Sequence, residues 1–224
     1  MAVWIGFCAL VWVGAYLLGS LPTGYLAGQM VKGIDIREHG SKSTGATNVL
    51  RTVGKVPAII VLLIDVLKGA AAIAFTRAVY QIPAIAPLIP PEVNVQAWLP
   101  YAITLSGLAV LLGHSRSIWL NFSGGKSVAT GLGLLLATTL PVGLGSLAAF
   151  AVMLAISRIV SLSSVAAALT AMGLMVGLQQ PVPFQGLAIA GGLFVIWRHQ
   201  ANLQRLIAGT EPRLGQKAQE SESQ

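Results

Sequence analysis

The chain has 224 residues, 55% of them hydrophobic and only 9% charged, with 14 Lys and Arg against 7 Asp and Glu and a mean hydropathy of +0.77. A soluble domain carries about 25% charged residues, so this composition excludes a water-soluble globular domain, and equally a disordered, collagen-like or disulfide-scaffolded chain. The basic excess would point to nucleic acid in a soluble protein. Here the bias of cytoplasmic membrane loops toward Lys and Arg accounts for it, and nucleic acid is no expected partner. The single cysteine, Cys8, lies in an apolar run and reads as a small interior residue.

A bilayer core about 30 Å thick is crossed by about 20 helical residues. Apolar runs occupy residues 2–21, 56–80, 97–113, 128–140, 142–156, 160–178 and 184–197. The first run is too long for a signal-peptide core and has no basic residue before it, so no cleavable signal is expected. The fourth and fifth are short and read either as one helix kinked at Pro141 or as two. Two helices make seven spans and place every Lys and Arg except Lys68 and Arg77 on the inner side. Six would send Arg158 and the basic C-terminal segment outside, against the positive-inside rule. The expected fold is an all-α polytopic membrane protein with seven transmembrane helices, the fourth and fifth short, the N-terminus outside and the C-terminus cytoplasmic. A single integral membrane domain would cover 1–208, with a polar, disordered cytoplasmic tail over 209–224.

The polar residues collect in the inner connections. The first, 40–48, reads Gly-Ser-Lys-Ser-Thr-Gly-Ala-Thr-Asn and is followed by Arg51. Glycines that turn backbone N–H groups inward, short hydroxyls and the cations Lys42 and Arg51 can form an anion-binding nest. Arg51 offers a planar fork suited to phosphate oxygens; an ordinary polar loop is the plainer reading. The second inner connection, 113–127, ends Gly124-Gly125-Lys126-Ser127. It is no P-loop, because Leu120 stands where that pattern needs glycine and no strand precedes it. Two glycines and a lysine just before a helix still suit an anion. In the third cluster, 157–164, Ser161 and Ser164 share a helix face, as helix caps or as a polar face toward a ligand. In the fourth, His199 and Asn202 share a face at the end of the last span. Asp65 and Lys68, three apart within the second span, read as a structural ion pair, with a proton relay as the functional rival. His39, His114 and His199 lack metal-ligand spacing. No histidine is followed five residues later by Asp, since Thr44, Trp119 and Gln204 stand there.

Taken together, Gly19-Ser-Leu-Pro-Thr-Gly24, the Gly-Ser…Gly-Ala-Thr-Asn stretch ending at Arg51, Asp65…Lys68-Gly69, Gly113-His114…Gly124-Gly125-Lys126, the 157–164 serines and Arg198-His199-x-x-Asn202 resemble the bacterial acyl-phosphate:glycerol-3-phosphate acyltransferases, the PlsY family. The resemblance runs from about Gly19 to Glu211 with the motifs in order. It implies transfer of a fatty acyl group from acyl phosphate to the sn-1 hydroxyl of glycerol 3-phosphate, giving lysophosphatidic acid and inorganic phosphate, the first acylation of phospholipid biosynthesis. It further implies seven helices in the bacterial cytoplasmic (inner) membrane, a site facing the cytoplasm, no cofactor or metal, and surrounding membrane lipid. A transient contact with the soluble enzyme that makes acyl phosphate is a further expected partnership. By motif, Ser41, Arg51, Lys126 and His199 are the catalytic candidates, and Gly40, Thr47, Asn48, Gly124, Gly125, Ser164 and Asn202 the substrate-binding ones. Two positions depart from the family pattern: Lys42 and Ser127 each stand where the family usually has glycine, which bears on backbone flexibility at both and, at Lys42, matters if the position needs a positive φ.

The residues fit this chemistry. Two cationic loops suit two phosphorylated substrates, and an activated donor needs positioning and charge neutralisation more than a covalent nucleophile. Direct attack by the glycerol hydroxyl is therefore expected, without an acyl-enzyme, Ser41 hydrogen-bonding the donor and His199 orienting the acceptor. A small transporter of phosphate or a phosphorylated metabolite is the alternative.

Overall fold

The computed structural model describes residues 1–216. Helix α1 (Ala2–Ser20) bends at Leu21 and Pro22 into α2 (Thr23–Lys32), which stops at Gly33 in the left-handed conformation. A loop carrying the short α3 (Ala46–Thr52) follows, then α4 (Lys55–Tyr80) and α5 (Val95–Ser115). The rest is α6 (Val128–Thr138), α7 (Leu140–Ser157), α8 (Val160–Gly177), α9 (Val182–Arg198) and the polar α10 (Gln200–Ile207). Among the described residues, five helical stretches are long and apolar enough to cross a membrane, the first running through α1 and α2; α6 and α9 are shorter apolar helices.

All seven expected spans are helices, but the expectation that the fifth is short is corrected. α7 has 18 residues. Pro141 sits in its first turn, where proline costs no intrahelical hydrogen bond, so the helix starts at Leu140 rather than after the proline. The break between α6 and α7 falls at Thr139, whose extended backbone (φ −148°, ψ 93°) separates them. The second short helix is instead α9, with 17 residues.

α5 lies at the centre, packed on α1, α4, α6 and α9, while α8 joins α7 to α9. Ala15, Ile73, Val110, Leu134, Met175 and Leu187, from six different helices, form the continuous core. Between helices that face hydrocarbon, close packing replaces the hydrophobic effect as the cohesive force, and small residues at crossings permit it. Gly69 and Gly133 show this reciprocally. A side chain on Gly69 would collide with the Thr130 carbonyl, and one on Gly133 with the Val66 carbonyl, so α4 and α6 touch backbone to backbone. The outward faces carry exposed Leu10, Val13, Ile59, Leu63 and Leu67, which a lipid environment accommodates and water does not.

The sequence reading puts the chain in solvent from Gly209 onward. In the structure Gly209, Thr210 and residues 213–216 are exposed, but Glu211 is 9% exposed, and the Leu214 amide donates to the Arg158 carbonyl at 2.6 Å. Buried hydrogen-bond donors on α8 and α10 draw the carboxylate inward. Residues 217–224, including Lys217, lie outside the described residues.

Candidate active site

Four segments far apart in sequence meet at one end of the bundle: the loop before α3, the segment before α6, the start of α8, and the α9–α10 junction with the chain beyond it. Each is held by its own polar chemistry. In the first, the buried Asn48 side chain donates to the carbonyls of Ile36, His39 and Ser43, and its Oδ1 accepts the Ser41 amide at 2.9 Å. A small apolar core of Ile36, Val49, Val53, Ala58 and Val61 lies beneath. Arg37 pairs with Asp35 at 2.6 Å and donates to the Leu120 carbonyl and Ser123 hydroxyl, clasping the first loop to the second. The second loop is pinned by Gly125, whose amide donates to the His114 carbonyl at 3.1 Å. A side chain there would strike the His114 ring.

Both departures from the family pattern fall where backbone conformation is demanding. Lys42 has φ +55° and Ser127 φ +61°, left-handed values that cost a non-glycine residue on the order of 1 kcal/mol. Ser127 is compensated: its hydroxyl donates to the Leu111 carbonyl at 2.7 Å and lies 2.8 Å from that of Ser115. Lys42 has no comparable side-chain bond among the described residues.

The loops enclose a cavity of about 520 Å³ with two chemically different ends. Ser41, Thr47, Arg51, Lys126, Ser161, Ser164, His199, Asn202 and Glu211 line the polar end. Leu63, Leu132, Leu135, Leu136, Leu147 and Phe150 line an apolar arm running between the helices. Of the residues expected from sequence, Ser41, Thr47, Asn48, Arg51, Lys126, Ser164, His199 and Asn202 are thus brought together. Gly40 and Gly125 are not on the cavity wall; the first turns the chain at φ +58° against Asn48, the second carries the close contact with His114. Gly124 lines a smaller cavity alongside. Asn48 reaches the wall, yet both atoms of its amide are committed to the loop.

A residue not expected from sequence organises the polar end. Glu211 Oε1 accepts from Ser161 Oγ at 2.7 Å and from Asn202 Nδ2 at 2.6 Å, and Oε2 accepts from Arg205 Nε at 2.9 Å. Asn202 then accepts from Lys126 Nζ through Oδ1. The Lys–Asn–Glu chain fixes the lysine and orients the amide. Glu211 is the only acid between Glu92 and Glu220, which was a usable signal.

Burial shapes the charges. It pushes the Lys126 ammonium down to about 8, with Glu211 pulling the other way and Arg205, Arg198 and Arg51 adding to the fall. Burial alone would raise the Glu211 carboxyl, but the hydrogen bonds from Asn202, Ser161 and Arg205 outweigh it and hold it below the usual range. His199 is pushed down to about 4, chiefly by burial, so it is neutral at pH 7. Its Nδ1 lies 2.7 Å from the Val195 carbonyl; only an acceptor is there, so Nδ1 carries the proton and Nε2 has a free lone pair on the cavity side.

Asp65 and Lys68 form the ion pair, at 2.9 Å and almost fully buried. Thr23 Oγ1 donates to the same carboxylate oxygen at 2.7 Å and Lys68 to the Leu21 carbonyl at 3.1 Å. The pair thereby staples α4 to the bend between α1 and α2. His114 Nδ1 stands 3.6 Å from Asp65, beyond a direct hydrogen bond.

These features define a polytopic helical membrane enzyme whose site joins a cationic, hydrogen-bonding chamber to a slot for hydrocarbon. Residues 9–209 match the family described as glycerol-3-phosphate acyltransferase, and the chain belongs to that family. The glycerol-3-phosphate acyltransferase of Trichormus variabilis is 57% identical over 97% of this chain and 96% of its own length. Glycerol-3-phosphate acyltransferase 2 of Rhizobium johnstonii is 60% identical over 91% and 94%. The crystal structure of PlsY, an integral membrane glycerol 3-phosphate acyltransferase, in its glycerol 3-phosphate form matches with a TM-score of 0.80 at 34% identity, covering 93% of this chain and 96% of that one. The lysophosphatidic acid form of PlsY matches at 0.77 and 33%, over 92% and 94%.

Proposed function

We propose that this acyltransferase moves a fatty acyl group from acyl phosphate to the sn-1 hydroxyl of glycerol 3-phosphate. It releases lysophosphatidic acid and inorganic phosphate in the first acylation of phospholipid biosynthesis. The observation that carries the reading is the two-ended cavity: a chamber with Arg51 and Lys126 opens directly into the leucine-lined arm. A phosphate ester and a fatty chain fit that space together, and an acyl phosphate is both in one molecule.

In this reading Arg51 holds the glycerol 3-phosphate phosphate with a bidentate fork, while the neutral His199 Nε2 accepts from a glycerol hydroxyl and sets its direction. Thr47 and Ser164 line the acceptor's chamber, though the Ser164 hydroxyl already donates to the Val160 carbonyl. Ser41 donates to the acyl phosphate, and Lys126, held by Asn202, neutralises charge on the departing phosphate. The hydroxyl oxygen forms a bond to the acyl carbonyl carbon, the carbonyl carbon–phosphate oxygen bond breaks, and the hydroxyl proton passes to a phosphate oxygen. No acyl-enzyme forms, because no serine in the cavity is hydrogen-bonded to a histidine among the described residues. Gly40, Asn48, Gly124 and Gly125 act by shaping the two loops.

The seven-span topology belongs to the same proposal: α6 and α9 complete the set, the N-terminus lies outside, and the site faces the cytoplasm of a bacterial inner membrane. The basic loops gathered at one end support it. The soluble enzyme that makes the acyl phosphate would meet the protein at that face. The test is acyl transfer by purified protein in lipid, with radiolabelled glycerol 3-phosphate and either palmitoyl phosphate or palmitoyl-CoA. Lysophosphatidic acid from the phosphate donor alone is the expected result; product from the thioester alone overturns the donor assignment.

A further inference from the structure

Beside the main cavity lies a second, smaller one of about 230 Å³, lined by Ser41, Lys42, Ser43, Gly124, Lys126 and Arg198, with Trp197, Gln200 and Ala201 at its edge. Three of its walls are cations and none is an acid. It shares Ser41, Ser43 and Lys126 with the main cavity, so a group seated in it lies against the polar end from which the apolar arm leads. Arg198 donates through Nη2 to the Gly125 carbonyl at 3.0 Å and keeps a buried Nε with no partner. Lys42 makes no ion pair among the described residues. It also holds a left-handed backbone, φ +55°. A strained residue at a functional cavity, carrying a charge that no acid among the described residues pairs with, points to a ligand.

We propose that Lys42 is a phosphate-binding residue, gripping the phosphate of the acyl donor in the small cavity and retaining inorganic phosphate after transfer. The inference rests on acyl phosphate being the donor. With the donor's phosphate in the small cavity and its chain in the apolar arm, the carbonyl carbon lies at the shared wall near Ser41 and Lys126. The glycerol hydroxyl reaches it from the Arg51 and His199 side. Lys42 thus acts on the donor and the phosphate product and leaves the acceptor alone.

Steady-state kinetics in lipid test this with Lys42→Gly, Lys42→Gln and Lys42→Arg. The glycine variant relieves the backbone and keeps the fold, the glutamine removes charge alone, and the arginine restores it. For Gly and Gln, KM for palmitoyl phosphate and the inhibition constant of inorganic phosphate should both rise about threefold to tenfold, as loss of one partly solvated ionic contact implies. KM for glycerol 3-phosphate should stay at its wild-type value, and Lys42→Arg should return most of the effect. Raised salt should shrink the difference between wild type and Gln. Values within twofold of wild type for Gly and Gln overturn the assignment of Lys42 while leaving the donor reading intact, as does an equal rise in both substrates' KM. Wild-type protein that fails to use palmitoyl phosphate at all overturns the donor reading and this inference with it.

Discussion

At the end of the bundle away from the cavity, Trp4, Phe7, Tyr80 and Trp98 pack together at centroid distances of 5.6–6.3 Å, Trp4 stacked on Phe7 and Tyr80 edge-on to both. The Tyr80 hydroxyl donates to Cys8 Sγ and accepts from Trp98 Nε1. At the cavity end the contacts are charged and polar: Lys126, Asn202, Glu211, Ser161 and Arg205 in one chain, Arg37 and Asp35 in another. The backbone differs as well. Of the non-glycine residues at positive φ among the described residues, Lys42, Asn121, Phe122, Ser127 and Arg158 belong to connections at the cavity end and only Gln179 to the far end. Aromatic packing needs no particular direction of charge and tolerates relaxed backbone. An anion site needs donors aimed at one point, and the chain accepts strain to aim them.

The contrast makes substitutions at the two ends fall on different observables. Lys126→Ala should produce the largest loss, a drop in kcat/KM on the order of 10³, the scale of removing one transition-state charge donor; acyl-transfer kinetics measure it. Glu211→Ala comes next, about tenfold to a hundredfold, because Asn202 and Lys126 lose their anchor without leaving the cavity. Glu211→Gln, which still offers an acceptor to Asn202 and Ser161, should lose less than the alanine variant. The pH profile should show a wide plateau. Lys126 is charged below about 8, so rate is lost as pH rises through that value, and Lys126→Arg should carry the alkaline limb upward. His199 loses its free lone pair only below about 4, so no limb should appear near 6.5, the usual histidine value. The smallest effect belongs to the far end: Tyr80→Phe should lower unfolding stability in detergent by about 1–2 kcal/mol and leave kcat/KM as it was.

Sequence and structure agree best where apolar length alone decides. Each of the seven runs became a helix because runs of that kind, bounded by Gly, Pro and charge, have no other way to satisfy their backbone in hydrocarbon. The fifth helix exceeds its apolar run because Pro141 is a first-turn residue and not a boundary. The short α3 and α10 were not legible, since they form against tertiary contacts and not from their own periodicity. Most of the cavity's polar wall was visible as clustered Ser, Thr, Asn, Arg and Lys. Asn48 and Gly125 were visible too, but not that one staples the loop and the other packs on His114, which only three-dimensional neighbours decide. Glu211 was lost to the polarity of the segment that follows it. The left-handed backbone at Lys42 was foreshadowed by its departure from the glycine pattern the sequence resembles; that at Ser127 depends on the Leu111 and Ser115 contacts of its hydroxyl, which only the fold supplies.

The central claim is direct transfer between two substrates held in one cavity. It is tested most directly by incubating the purified protein in lipid with radiolabelled palmitoyl phosphate and no acceptor, then quenching and looking for label on the chain. The account predicts a protein free of label and a single burst of lysophosphatidic acid once glycerol 3-phosphate is added. A hydroxylamine-sensitive acyl group on Ser41, discharged by the acceptor at a rate matching turnover, would contradict it.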